Sequence, residues 1–289
     1  MKLIAILIVL VLEYFLGHLQ ELRQPGWFLR YADEMRERFG SDWGGPATVA
    51  LVLVPALTVV VLLQALLGTV LFGLPGFVFA IGVLVYCIGP RDLEGDVQSY
   101  LDAREVGDEA RAQHLAEAFL SGAVPTDPAQ RDRALLGGVL EQANERVFGV
   151  FFWFVLLGAA GAAVFRMAAL LQDQNERHVG AGYQAAAGFF YELLAWIPAR
   201  LLVLGYALSG SFDGAYHGWR RASESQHEGV PVSAPGTLIY SGFGALDLDA
   251  DQPAGVEPAD LANGLRLVRR ALLIWLTVLA LLTLAGWTG

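Results

Sequence analysis

From Ala47 to Ile88 the chain carries no charged residue and a single amide side chain, Gln64. A hydrocarbon core about 30 Å thick is crossed by about 20 residues of helix, so this run is long enough to cross twice. A chain of 289 residues has no soluble core large enough to hide it together with the other apolar blocks. Composition agrees: 55% of the residues are hydrophobic and 17% are charged, with a mean hydropathy of +0.48, whereas soluble domains are about 25% charged. The expectation is an all-α, polytopic helical membrane protein whose first partner is the lipid bilayer.

Apolar blocks of span length fall at 3–19, 47–67, 69–88, 148–171, 189–208 and 268–288. Gly68, Gly73 and Leu74-Pro75-Gly76 punctuate the long run, which predicts a tight hairpin or two partly re-entrant segments. The block at 189–208 is the most interrupted, holding Glu192, Pro198 and Arg200. With both termini outside, fifteen Arg fall in the connections after the first, third and fifth spans or in the first turn of the sixth, against Lys2 and Arg177 on the other side. That asymmetry places the large loops in the cytoplasm. The first block has no small-residue cleavage site after it and reads as a retained helix.

Two cytoplasmic regions follow from this topology. Residues 89–147 predict a helical insertion, with patterns near 92–104, 108–121 and 128–147, and read first as a solvated helical subdomain. Residues 209–267 open with a short helical pattern and continue into a stretch rich in Pro, Gly and Asp, either a loop capping a cavity mouth or disorder. Residues 20–46 predict a short amphipathic helix at the interface or a solvated one.

Several chemistries are excluded on spacing. The net charge of −10 leaves no basic face for nucleic acid. The only Lys is Lys2, so there is no Walker A loop, and no Gly-x-Ser-x-Gly elbow occurs. One Cys and five scattered His offer no metal-ligand pattern. Asp247, Asp249 and Asp251 alternate with apolar residues but lack the Gly and terminal Glu of a calcium loop. The informative residues are carboxylates and Arg next to or inside spans. Glu141 and Glu145, four apart ahead of Phe152-Trp153, share a helix face, where two carboxylates can hold Mg²⁺, do acid/base work or meet a cation. Arg166 and Arg200 lie inside spans, where a guanidinium must face a polar cavity or an internal partner. Glu13 and Glu192 are the partners expected for them. The run Gly158 to Ala163 is small enough for another helix to approach closely.

The order of these features resembles a known superfamily: an acidic residue in the first span, Arg91-Asp92-Leu93, Gly107-Asp108, Glu141 ahead of Phe152-Trp153, Phe165-Arg166 and Ile197-Pro198-Ala199-Arg200-Leu201. It is similar to the cobalamin-pathway amide synthases of CbiB/CobD type, and within that superfamily it looks most like the AmpE family. Where the synthases read Glu-Asn-x-x-Asp-Gly, this chain has Gln142 and Glu145 at the Asn and Asp positions. Ala169-Leu170-Leu171-Gln172 replaces Asn-Thr-Leu-Asp, and Tyr191, Glu192 and Ala195 replace two Asp and an Asn. The AmpE resemblance implies a bacterial inner-membrane regulator tied to β-lactamase induction, with a partner in cell-wall recycling and no catalytic residues to transfer. The expected site is a polar cavity built from Arg91, Asp92, Glu141, Glu145, Arg166 and Arg200 that binds a small anionic or zwitterionic ligand without turnover and without a cofactor. Two alternatives remain open: a membrane ligase using Mg²⁺ and a nucleotide, with the ion at Glu141 and Glu145, or a transporter.

Overall fold

The computed structural model describes residues 2–15, 26–39, 45–69, 73–88, 93–120, 124–173, 181–224, 233–250 and 256–286. Every regular element among them is helical: α1 (Lys2–Phe15), α2 (Gly26–Phe39), α3 (Gly45–Thr69), α4 (Leu74–Cys87), α5 (Leu93–Glu105), α6 (Glu109–Phe119), α7 (Pro128–Ala143), a π-helical turn (Asn144–Phe148), α8 (Gly149–Leu157), α9 (Ala159–Gln172), α10 (Ala181–Ser209), α11 (Phe212–Glu224), α12 (Ala234–Ala245) and α13 (Pro258–Leu284). The all-α expectation is met. The chain divides into two compact units, residues 1–90, 145–195 and 279–289 in the first and 91–144 and 196–278 in the second.

Among the described residues, three helices are long and apolar enough to cross a membrane: α3, the Gly182–Ser209 stretch of α10, and α13. These carry the expected spans at 47–67, 189–208 and 268–288, and they make this a membrane protein. The described parts of the other three expected spans form shorter elements. In the block at 3–19, α1 is described over Lys2–Phe15, and residues 16–19 lie outside the described residues. In the block at 69–88, Gly73 adopts φ 79° and Pro75 follows, so the long apolar run turns back and α4 is only 14 residues. A Cβ on Gly76 would lie 3.0 Å from Gly68 Cα, the close approach that closes this hairpin.

The block at 148–171 is not one helix but two. Gly158 takes φ 70° and ψ −150°, a region essentially closed to side-chain-bearing residues, and it ends α8 after nine residues. A Cβ on Gly149 would meet the Phe165 ring at 2.2 Å, and one on Gly161 would meet Trp153 O at 2.1 Å. Those pairings run in opposite directions along the chain, so α8 and α9 form an antiparallel hairpin. The small-residue run does admit a close neighbour, and that neighbour is the preceding helix.

A turn of this kind leaves backbone groups unpaired, which is costly where water is absent. Gln64 of α3 answers two of them, donating from Nε2 to Leu157 O at 3.3 Å and accepting from Ala160 N at 2.9 Å. Lys2 Nζ donates to Val155 O at 2.7 Å, a cation at the negative end of the α8 dipole. Gln64→Leu should therefore strand both groups and cost about 1–3 kcal/mol. The check is a lowered Tm in detergent; an unchanged Tm would show that the turn does not depend on this amide.

The interruption expected at Pro198 is absorbed rather than terminal. Proline lacks the N–H that would bond the carbonyl four residues earlier, which is that of Leu194. The Trp153 indole donates to Leu194 O at 3.0 Å. The Phe-Trp and Ile-Pro-Ala-Arg motifs are thus linked: the tryptophan of one supplies the hydrogen bond that the proline of the other removes.

In the second unit, Asp108 and Asp127 cap α6 and α7 by accepting from Arg111 N and Gln130 N, each at 3.0 Å. Within the helical insertion expected at 89–147, Arg131 and Asp132 are 2% and 1% exposed. Tyr100 donates to Asp132, Arg104 bonds Asp132 at 3.1 Å and Glu109 at 2.5 Å, and Arg131 bonds Gln113 at 2.9 Å, the Tyr100 oxygen at 3.1 Å, and Glu109. This network ties α5, α6 and α7 together. The Pro/Gly/Asp-rich stretch is also more ordered than expected where it is described, forming α12 and the start of α13. α11 and α12 approach to backbone contact: a Cβ on Gly214 or Gly218 would lie 2.1 Å from Gly244 O or Tyr240 O.

Candidate functional site

The polar residues expected to form one cavity belong to both units of the chain. Arg166 and Glu145 lie in the first unit, Glu141 and Arg200 in the second, and Arg91 and Asp92 lie outside the described residues. The side chain of Glu13, an expected partner for Arg166, is also outside them. The partner that Arg166 takes is Glu145, at 3.1 Å. Arg200 stacks on Trp196 of its own helix, its guanidinium carbon 3.8 Å from the ring centroid, and donates to Trp196 O at 3.0 Å. The Asp run at 247–251 is likewise committed in part, since Asp249 accepts from Arg221 at 2.7 Å and Asp251 lies outside the described residues.

Glu145 is the second residue of the π turn, and it meets Arg166 of α9. Single π turns inside helices mark functional positions more often than chance. This one also carries Asn144, fully buried at 0% exposure with neither amide atom hydrogen-bonded. A buried amide without a partner calls for an explanation. Asn144 is a candidate missed at the sequence level, where it stood out only as one polar residue among several preceding an apolar block.

Arg166 lines a cavity of about 540 Å³ in the first unit, enclosed by α2, α3, α4 and α9. Its walls are otherwise apolar or aromatic, including Phe28, Pro55, Val59, Phe79 and Met167, and Arg166 is the one charged residue among them. Tyr31 contributes a buried hydroxyl that makes no hydrogen bond. Ligand sites occupy about 300–1,000 Å³ and combine apolar walls with a few polar groups that set orientation. An apolar body with a carboxylate or phosphate end fits this lining, since a guanidinium can bond either group through two parallel N–H donors. Of the six polar residues expected to build a cavity, Arg166 is among the described residues lining this one.

Comparison with known proteins places the chain. The description CobD/Cbib protein belongs to the family model that matches residues 6–241. A cobalamin biosynthesis protein CobD of Chromobacterium violaceum is 28% identical over 258 residues, covering 80% of this chain and 77% of its own length. Another of the same description, from Stutzerimonas stutzeri, is 27% identical over 304 aligned positions and covers 96% of both chains. No solved structure matches. These findings overturn the AmpE assignment and, with it, the reading as a regulator of β-lactamase induction and cell-wall recycling. The order of motifs points to the right superfamily, whereas the substituted carboxylates point to the wrong branch of it. The matched segment spans most of the sequence, and the chain belongs to the CobD/Cbib protein family.

Proposed function

We propose that this chain acts in cobalamin biosynthesis as a membrane enzyme of the amide-ligase class. The observation that carries the reading is the alignment with a cobalamin biosynthesis protein over 96% of both chains. The cavity at Arg166 supports it: an apolar space bordered by an arginine, itself paired with Glu145, suits a substrate with an apolar body and an anionic group. The excess of Arg in the loops after the first, third and fifth apolar blocks favours a bacterial inner membrane with those loops in the cytoplasm.

Amide ligation by a nucleotide calls for Mg²⁺ to hold the phosphates. Among the described residues, no three His, Cys, Asp or Glu side chains are grouped to hold a metal. Glu145, one of the two carboxylates expected to ligate the ion, is already neutralised by Arg166. The roles that the described residues support are binding and orientation. Arg166 holds the anionic end of the substrate, Tyr31 offers an unused hydroxyl, and the surrounding helices supply apolar walls.

Growth of a bacterial strain lacking its own CobD-type protein, under conditions where growth depends on cobalamin made in the cell, tests the reading. The wild-type chain should restore growth without added cobalamin. Failure to restore growth, with the protein verified in the membrane and the strain rescued by a known CobD protein, would overturn it.

A further inference from the structure

The face of α11 opposite its packing contact is aromatic and uncovered. Phe212, Tyr216 and Trp219 stand at helical spacing of four and three residues and are 61%, 51% and 37% exposed. The helix cannot rotate to hide them. Gly214 and Gly218 touch the backbone of α12 so closely that a Cβ at either position would collide with a carbonyl oxygen. That contact fixes which face points outward. On the polar side, Arg220 pairs with Glu224 at 2.7 Å and Arg221 with Asp249 at 2.7 Å.

Chain continuity says what the aromatic stripe meets. α11 begins three residues after the last residue of the Gly182–Ser209 span. A helix of 28 residues is about 42 Å long, which matches the 40–45 Å of a bilayer including its headgroups. Ser209 therefore sits at headgroup level, and so does the start of α11. The final turns of the span expose Leu204 and Leu208, and Phe212 and Tyr216 continue that exposed series at the same four-residue step. Tyrosine and tryptophan have the apolar body and polar tip that favour this layer.

We infer that α11 is a surface anchor lying in the phospholipid headgroup layer, with Phe212, Tyr216 and Trp219 dipping toward the acyl chains. Because both neighbouring arginines are paired with carboxylates, the anchor relies on apolar insertion more than on attraction to anionic lipid. It holds α12 and the polar cleft between α11 and Asp247–Ala250, lined by His217, Arg221 and Tyr240, at the membrane surface.

The test is spin-label depth measurement on the full chain in liposomes of phosphatidylethanolamine and phosphatidylglycerol. Tyr216→Cys and Asp213→Cys are labelled separately; the one native cysteine, Cys87, is buried and left in place. The Tyr216→Cys label should lie about 5–10 Å into the headgroup–acyl boundary, accessible to oxygen more than to an aqueous nickel chelate. The Asp213→Cys label should remain in water. Phe212→Cys repeats the measurement on the same stripe if Tyr216→Cys does not fold. Equal exposure of both labels to the nickel chelate would overturn the inference, as would spin–spin broadening at Tyr216→Cys showing that a second copy of the chain covers the stripe.

Discussion

Glu145→Leu is expected to destabilise the protein by about 3–5 kcal/mol, because it leaves the Arg166 guanidinium buried without its carboxylate. The side chains are unequally placed, Arg166 being 10% exposed and Glu145 27%. Arg166→Leu should therefore cost less, since a stranded Glu145 retains some access to solvent while a stranded Arg166 retains little. Replacing both, as Glu145→Leu with Arg166→Met, should recover most of the loss, as apolar replacements of buried ion pairs often do. A double-mutant cycle on Tm in detergent isolates the coupling. Activity should part from stability in this series. Every variant without the guanidinium should fail to restore cobalamin-dependent growth, the stable double variant included, because the group that holds the anionic substrate is gone. A fully active double variant would show that Arg166 is only a packing element and that the substrate binds elsewhere. An unchanged Tm in Glu145→Leu would show that the pair contributes nothing to the fold.

What could be read in advance follows from which interactions are local. The spans α3, α10 and α13 are visible because length and apolarity are properties of a single segment. The hairpin between α3 and α4 was likewise open to sequence reading, since Gly73 and Pro75 act on their own backbone. The hairpin at Gly158 was not. Six consecutive small residues are equally consistent with a packed straight helix, and the choice depends on distant groups, Gln64 and Lys2, that satisfy the turn. Pro198 shows the reverse. Locally it argues for a helix end, but the Trp153 indole replaces the missing hydrogen bond and α10 continues.

The same division explains the site. Arg166 is identifiable because a charge inside an apolar block needs a reason, yet the partner expected for it is Glu13 of the first block. The observed partner, Glu145, lies in a π turn, and a π turn has no reliable local signature. Loss of carboxylates in the motifs points toward a protein without turnover, whereas the family model covers residues 6–241 and a cobalamin biosynthesis protein aligns over 96% of both chains. Two of those motifs are coupled physically in this chain by the Trp153–Leu194 bond.

Removing a single carboxylate from the α5–α7 network should have an effect of comparable size. Asp132 accepts from Tyr100 and from Arg104, and it is 1% exposed. Asp132→Ala would leave the buried Tyr100 hydroxyl without its acceptor and two arginines, Arg104 and Arg131, sharing Glu109. The expected cost is about 3–5 kcal/mol, confined at first to residues 93–143, because a multi-part membrane protein need not unfold in one step. Amide hydrogen exchange read by segment is therefore the right measurement, and protection should fall in α5 and α7 while α3 and α9 remain protected. Uniform protection throughout would mean that the network is dispensable. The same network sets a pH dependence of known sign. Burial, and then the hydrogen bond to Asp132, push the Tyr100 phenol up to about 12. Below about pH 10 the phenol is neutral in both folded and unfolded chains, and its contribution is fully present. As pH rises past 10 the unfolded chain ionises while the folded one holds its proton, so stability is lost at about 1.4 kcal/mol per unit until the folded phenol also titrates. Glu109 acts at the other end. Its bond to Arg131, and then the Arg104 charge, hold its carboxyl below the usual range, so its contribution is present above the ordinary carboxylate pKa and fades as pH falls through the lowered value. The α5–α7 bundle should accordingly loosen on both sides of a broad neutral optimum, with the alkaline loss absent in Tyr100→Phe.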